Sequence, residues 1–98
     1  MHAIKFASDA TIVAVAVAST ATPIPNDSTG NPAKEVYVIS DADIYIMPRV
    51  AGGTVTLANG VLLRSGQALR LDVSGYAVIA NIGAAGTETL CIAPIENR

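Results

Sequence analysis

Alternation, turn chemistry and composition predict an all-β chain: a small antiparallel β-sandwich or barrel, jelly-roll-like, of about seven or eight short strands preceded by an N-terminal strand-like arm. Alternation is clearest in residues 68–73, where Leu69, Leu71 and Val73 share one phase and Arg70 and Asp72 the other. Turn residues recur at intervals of about ten positions, as in Asn59-Gly60, Ser65-Gly66, Ser74-Gly75 and Gly83-Ala84-Ala85-Gly86. The chain has 98 residues, of which 51% are hydrophobic and 14% charged, against roughly 25% charged in an ordinary soluble protein. A monomer of this size hides only about 60 to 65% of the surface that its unfolded chain exposes. Part of an unusually apolar skin is therefore expected to be covered by another molecule.

Taken in order, residues 11–19 alternate valine or isoleucine with alanine, a strand pattern with small side chains on one face. Residues 10–18 also have the outline of a secretory signal, but Asp9 interrupts the approach. The stretch is shorter than the ~20 apolar residues needed to cross a bilayer. Residues 23–32 are dominated by prolines and turn formers, which reads as a linker. Residues 1–33 are thus expected to form an arm and linker, and residues 34–98 the sandwich domain. Within that domain, 34–40 and 42–47 are rich in β-branched and aromatic residues and flank a bend at Ser40-Asp41. Asn59-Gly60 predicts a type I′ hairpin pairing 61–63 back on 55–57. The alternating run 68–73 follows, then strands over 76–82 and 87–95.

Chemistry is sparse. The net charge is −2, which excludes a nucleic-acid binder driven by charge. The one histidine, His2, stands beside the first methionine, so neither a histidine triad nor a two-histidine metal site fits within one chain. Cys91 is the single cysteine and allows no intramolecular disulfide; with no histidine near it in sequence, it reads as a packing residue rather than a nucleophile. Asp41-Ala42-Asp43 has a paired-acid spacing, but on a strand it reads as a solvated face. Arg70 and Asp72 read the same way, with a neighbouring strand or subunit as partner. The glycines of 83–86 lack the following lysine of a phosphate loop and precede a strand. Three tyrosines, one phenylalanine and no tryptophan make no stacking surface. The expectation is a protein that is not an enzyme, with no catalytic residues, no metal, no cofactor, no nucleic acid and no membrane among its partners.

Three stretches carry a resemblance. They are residues 40–46 (Ser-Asp-Ala-Asp-Ile-Tyr-Ile), residues 60–73 (Gly-Val-Leu-Leu-Arg-Ser-Gly-Gln-Ala-Leu-Arg-Leu-Asp-Val) and residues 86–94 (Gly-Thr-Glu-Thr-Leu-Cys-Ile-Ala-Pro). With them the chain resembles small β-rich virion structural proteins of tailed bacteriophages, which sit on the capsid as decoration or cement. The likeness covers residues 35–95 and consists of turn and strand patterns; the N-terminal segment has no counterpart in it. It implies a virion protein, made in the host cytoplasm and located on the capsid surface, that binds the assembled head and stabilises it through inter-subunit contacts. Its partners would be further copies of itself, with a homotrimer favoured, and the major capsid protein or other virion proteins. The alternatives are a neck, collar or tail protein, or a host- or carbohydrate-binding module on the virion surface. The residues expected at an interface are Ile12, Ala14, Ala16, Ala18, Ile24, Val36, Tyr37 and Ile39.

Overall fold

A computed structural model describes residues 10–95 and contains no helix among them. Eight strands form: β1 (Thr11–Val15), β2 (Thr20–Pro23), β3 (Glu35–Ser40), β4 (Ile44–Arg49), β5 (Val61–Leu63), β6 (Ala68–Asp72), β7 (Val78–Gly83) and β8 (Glu88–Pro94). They make two four-stranded sheets, ordered β1-β8-β3-β6 and β2-β7-β4-β5. Every pairing is antiparallel. Each connection except β4 to β5 passes from one sheet to the other, the winding of an eight-stranded jelly roll.

The pleat explains the core. Every second residue of β8 (Glu88, Leu90, Ile92, Pro94) and of β3 (Val36, Val38, Ser40) points between the sheets. There Leu90, Ile92, Val36 and Val38 meet Ile44, Ile46, Leu63 and Ile79 of the opposing sheet, all essentially without solvent contact. Leu69 and Leu71 of β6 pack at the margin while Arg70 and Asp72 face out, as their alternation predicts. Among the described residues no aromatic side chain enters this core cluster, which is aliphatic.

The first 33 residues, over their described part, are built into the sandwich rather than appended to it. β1 pairs with β8 and β2 with β7, and Val15, Ile24 and Ala33 are core residues. Removing this segment would take an edge strand from each sheet. The strand expected over 11–19 stops at Val15, because the chain must leave one sheet for the other; there the Gly83 N–H donates to the Ala16 carbonyl at 3.0 Å. In the proline-rich run 23–32, Asp27 is buried and accepts the N–H of Thr29 (2.9 Å), the N–H of Asn31 (3.2 Å) and the Thr29 hydroxyl (2.6 Å). A side chain supplies the order that the prolines withhold from the backbone.

The hairpin expected at Asn59-Gly60 does not form. β5 pairs with β4 instead, which places Leu63 beside Ile44 in the core. Thr56 and Asn59 explain the difference locally. The Asn59 side-chain carbonyl accepts the Thr56 N–H at 2.7 Å, and the Thr56 hydroxyl accepts the N–H groups of Ala58 and Asn59 at 3.2 Å. These bonds occupy the groups a hairpin ladder would use. No non-glycine residue among those described takes positive φ, so Asn59 does not adopt the type I′ geometry.

Besides Asp27, the described residues Thr22, Ser40, Asn81 and Glu88 are buried polar groups. Asn81 is fully buried and donates to the Thr22 hydroxyl and the Ile79 carbonyl, both at 3.0 Å, while its side-chain oxygen finds no protein partner. Glu88 folds its carboxylate over Gly83, where an added Cβ would come 2.6 Å from the carboxyl carbon and displace the carboxylate. The carboxylate accepts the Ala85 N–H at 3.0 Å. That bond, with help from the amides of Glu88, Gly86 and Thr87, holds its pKa below the usual glutamate value of 4.5, against an opposing effect of burial.

Two outcomes follow from these groups. Because the folded-state pKa of Glu88 is depressed, its contribution is fully present above about pH 4.5 and is lost as pH falls through the folded value. Denaturation midpoints of the wild type and of Glu88→Gln, compared from pH 7 down to pH 3, are therefore expected to converge on the acid side. Thr22→Val, which strips Asn81 of its hydroxyl partner, is expected to cost about 1–3 kcal/mol in urea unfolding.

Candidate functional site

The two outer faces of the sandwich differ, and the difference follows from the chain path. On the β2-β7-β4-β5 sheet the pleat turns Tyr45, Met47 and Arg49 outward, alongside Ala80 and Val78. Ala80 and Val78 are nonetheless buried. The segment 50–60 folds back over this face. Its Val55 is buried although it lies outside the main core cluster. From Tyr45 on β4 it reaches across to Ser19 just before β2, whose hydroxyl accepts the Val55 N–H at 3.0 Å. The Arg49 guanidinium donates to the Thr54 carbonyl at 3.1 Å and pins the start of the strap. Gly60 is required here, because a Cβ would sit 2.7 Å from a Val55 methyl and 2.8 Å from the Tyr45 Cβ.

The outer face of the β1-β8-β3-β6 sheet has no such cover within the described residues. Its strand registers align one transverse row across all four strands, Ile12, Cys91, Ile39 and Ala68. A neighbouring row runs Ala93, Tyr37, Arg70, and on the other side Ala14 stands beside Thr89. Ile12 is 69% exposed and Ile39 is 39% exposed. Shallow depressions lie on the two sides of the Ile39 and Cys91 pair. Tyr37, Ala68 and Ala93 line the first, and Ile12, Asp41, Ser65 and Thr89 the second.

Charge on this face stands along the edge strand β6 and at the two ends of β3. Arg70 on β6 donates through Nε to Glu35 on β3, an exposed pair of the kind that adds little stability. Glu35 raises the Arg70 pKa, first by that hydrogen bond and then by its charge. Asp72 is held below its usual value by the Ser74 N–H, which donates to it at 2.9 Å. Asp41 and Asp43, the paired acids of the sequence, fasten loops: Asp41 accepts the Thr89 N–H and Asp43 the Ser65 N–H, each at 2.8 Å. Among the described residues no three His, Cys, Asp or Glu side chains are grouped to hold a metal ion.

Of the residues expected at an interface, the structure brings Ile12, Ala14, Tyr37 and Ile39 onto this one face. Ala16 and Ala18 are exposed but lie beyond β1, where the chain crosses between sheets. Ile24 and Val36 are core residues, which corrects their assignment: Val36 points inward with Val38, and Ile24 is drawn under the sandwich as its N–H donates to the Ala77 carbonyl. Cys91, read as an inert packing residue, stands half-buried in the middle of the outer row. Its phase opposite Leu90 and Ile92 was the available signal. Ala68 and Ala93 complete the face, and nothing in sequence spacing links them to Ile12. His2 lies outside the described residues.

No family model and no curated protein matches the chain. A solved structure, described with the words "Bacillus endospore appendages form a novel family of disulfide-linked pili", is similar with a TM-score of 0.49 and 14% identity, over 98% of this chain and 93% of that one.

The strap is testable by itself. Gly60→Ala is expected to destabilise the fold by about 1–3 kcal/mol, because Val55 and the Tyr45 Cβ are too stiff to yield. Guanidinium unfolding measures the cost, and binding of a hydrophobic dye reports the second face as it is uncovered.

Proposed function

We propose that this chain is a non-catalytic structural subunit that works in many copies, as a capsid decoration or cement protein on a bacteriophage head. The observation that carries the reading is the unequal treatment of the two outer faces. The protein spends an eleven-residue segment, 50–60, on covering one sheet and leaves the other with isoleucine, tyrosine, cysteine and alanine toward solvent. A flat, contiguous apolar surface on a small domain marks a place of contact with another protein.

The edges support the same reading. β2 ends in Pro23, β5 is three residues long, and β6 carries Arg70 and Asp72, all devices that discourage pairing with a foreign strand. β1 has none of them: Thr11-Ile12-Val13-Ala14-Val15 is uncharged, free of proline and rich in β-branched residues. An edge left unpaired among the described residues, beside an apolar face, gives one subunit two kinds of contact, which a shell of repeated units needs. Mechanically, the protein would act by preferential binding. A ligand that holds the assembled shell and has no affinity for the dispersed subunits stabilises the shell by mass action, and many weak contacts add along it.

Purified protein is expected to bind heads prepared without it, and to raise the temperature at which those heads release their contents. Protein that leaves both the sedimentation and the thermal release of such heads unchanged rules this reading out. Binding to tails or to a glycan in place of heads would move it to one of the other virion roles.

A further inference from the structure

We infer that the uncovered face is built to pack against the same face of a second copy, about a two-fold axis that runs parallel to the strands between β8 and β3. This rests on the structural-subunit reading and names the partner on that face. The argument is one of size. In the transverse row the side chains alternate large, small, large, small: Ile12, Cys91, Ile39, Ala68. Rotation about that axis places each strand opposite its mirror position, so that β1 meets β6 and β8 meets β3. Ile12 then falls opposite Ala68 of the second copy, and Ile39 opposite its Cys91. Every large side chain meets a small one, and the same holds in the neighbouring row, where Tyr37 meets Ala93.

The relief of the face agrees with that pairing. Ala68, over which the second copy's Ile12 would arrive, forms one side of the depression that Tyr37, Ile39, Cys91 and Ala93 also line. Close interdigitation of this kind is what two stacked sheets at about 10 Å separation require. Arg70 and Asp72 lie on the outermost strand, at the rim, where water still reaches them. The other two charges of the face, Glu35 and Asp41, stand at the two ends of β3, outside the row of Ile12, Cys91, Ile39 and Ala68.

Area sets the strength. Four strands at about 4.8 Å spacing and three rows at about 7 Å give a patch of roughly 400 Å² per copy, half of the ~800 Å² per partner of a standard stable interface. The pair is therefore weak in dilute solution and becomes firm only where other contacts hold the copies together. A two-fold pairing does not by itself close a trimer; a trimer would use a second surface, and the open edge of β1 is one.

Sedimentation equilibrium is expected to show a monomer–dimer equilibrium between about 10 μM and 1 mM. Ala68→Ile sets isoleucine against Ile12 twice per dimer and is expected to weaken it about tenfold or more, and Ile12→Ala to weaken it by loss of contact. The double variant Ile12→Ala/Ala68→Ile restores large against small with the roles exchanged and is expected to return to within about threefold of the wild type. Both positions are exposed, so circular dichroism should show the folded sandwich in each variant. The Cys91 thiol gives an independent reading: its alkylation rate should fall as the dimer fills, and a bulky adduct on it should abolish the dimer. A protein that stays monomeric at 1 mM overturns the inference, as does a double variant no better than either single one. A dimer that ignores heads sinks the decoration role alone, whereas a monomer that binds them, and loses that binding on Ala68→Lys, sinks the two-fold alone.

Discussion

Everything in this molecule depends on the interlocking of the two aliphatic inner faces. Leu90 and Ile92 lie on a strand paired on both sides, with β1 and with β3, and they face Ile44, Ile46 and Ile79 of the other sheet. A one-residue slip of β8 would turn Thr89 and Cys91 inward and Leu90 and Ile92 out, losing the share of the core that β8 supplies. Register is thus enforced by burial, and each isoleucine or leucine fully withdrawn from water contributes about 1.5–3 kcal/mol. Among the described residues the core is built from many medium-sized aliphatic side chains rather than aromatic rings.

The jelly-roll path distributes the chain's remaining apolar residues. With connections that cross between sheets at nearly every step, the only long segment left within one sheet is the link from β4 to β5, residues 50–60. That segment has nowhere to go but over the outer face of its own sheet, and Val55, Arg49 and Gly60 hold it there. Among the described residues the other sheet has no equivalent link to cover it. The unequal faces are consequences of topology. Single exposed apolar residues elsewhere, such as Val50 and Leu57 on the strap or Tyr76 in a turn, are ordinary for a protein surface. The row through Ile12, Cys91, Ile39 and Ala68 differs because pairing makes it continuous across four strands.

Much of the fold was legible in the sequence where one side of a strand is wet. The phases of Leu69, Leu71 and Val73 against Arg70 and Asp72 were read correctly because charges mark the outer face. Legibility failed where both phases are apolar. In residues 35–40, Val36 and Tyr37 are equally plausible contacts, and only the observed pleat sends Val36 inward and Tyr37 out. It failed again at Asn59-Gly60, where local turn preference pointed to a hairpin. The side-chain bonds of Thr56 and Asn59, and the burial of Leu63 beside Ile44, outweighed it. The proline-rich run looked like a linker because prolines remove donors; the buried carboxylate of Asp27 orders it by accepting the N–H groups of Thr29 and Asn31, which composition does not reveal.

By itself the sequence determined the class of the fold and the excess of apolar surface over what a chain this short can hide, while its strands included 55–57, where none forms, and omitted β2. Those properties follow from side-chain periodicity and from surface-to-volume scaling, which act locally or on the whole composition. Only the tertiary structure decided which apolar residues form the core, which are covered by residues 50–60 and which are left in a row facing water. That choice depends on strand order and register. Ile12, Ile39, Ala68 and Cys91 are neighbours solely because distant segments pair, and hydrogen bonding between strands far apart in the chain leaves no local trace in the sequence.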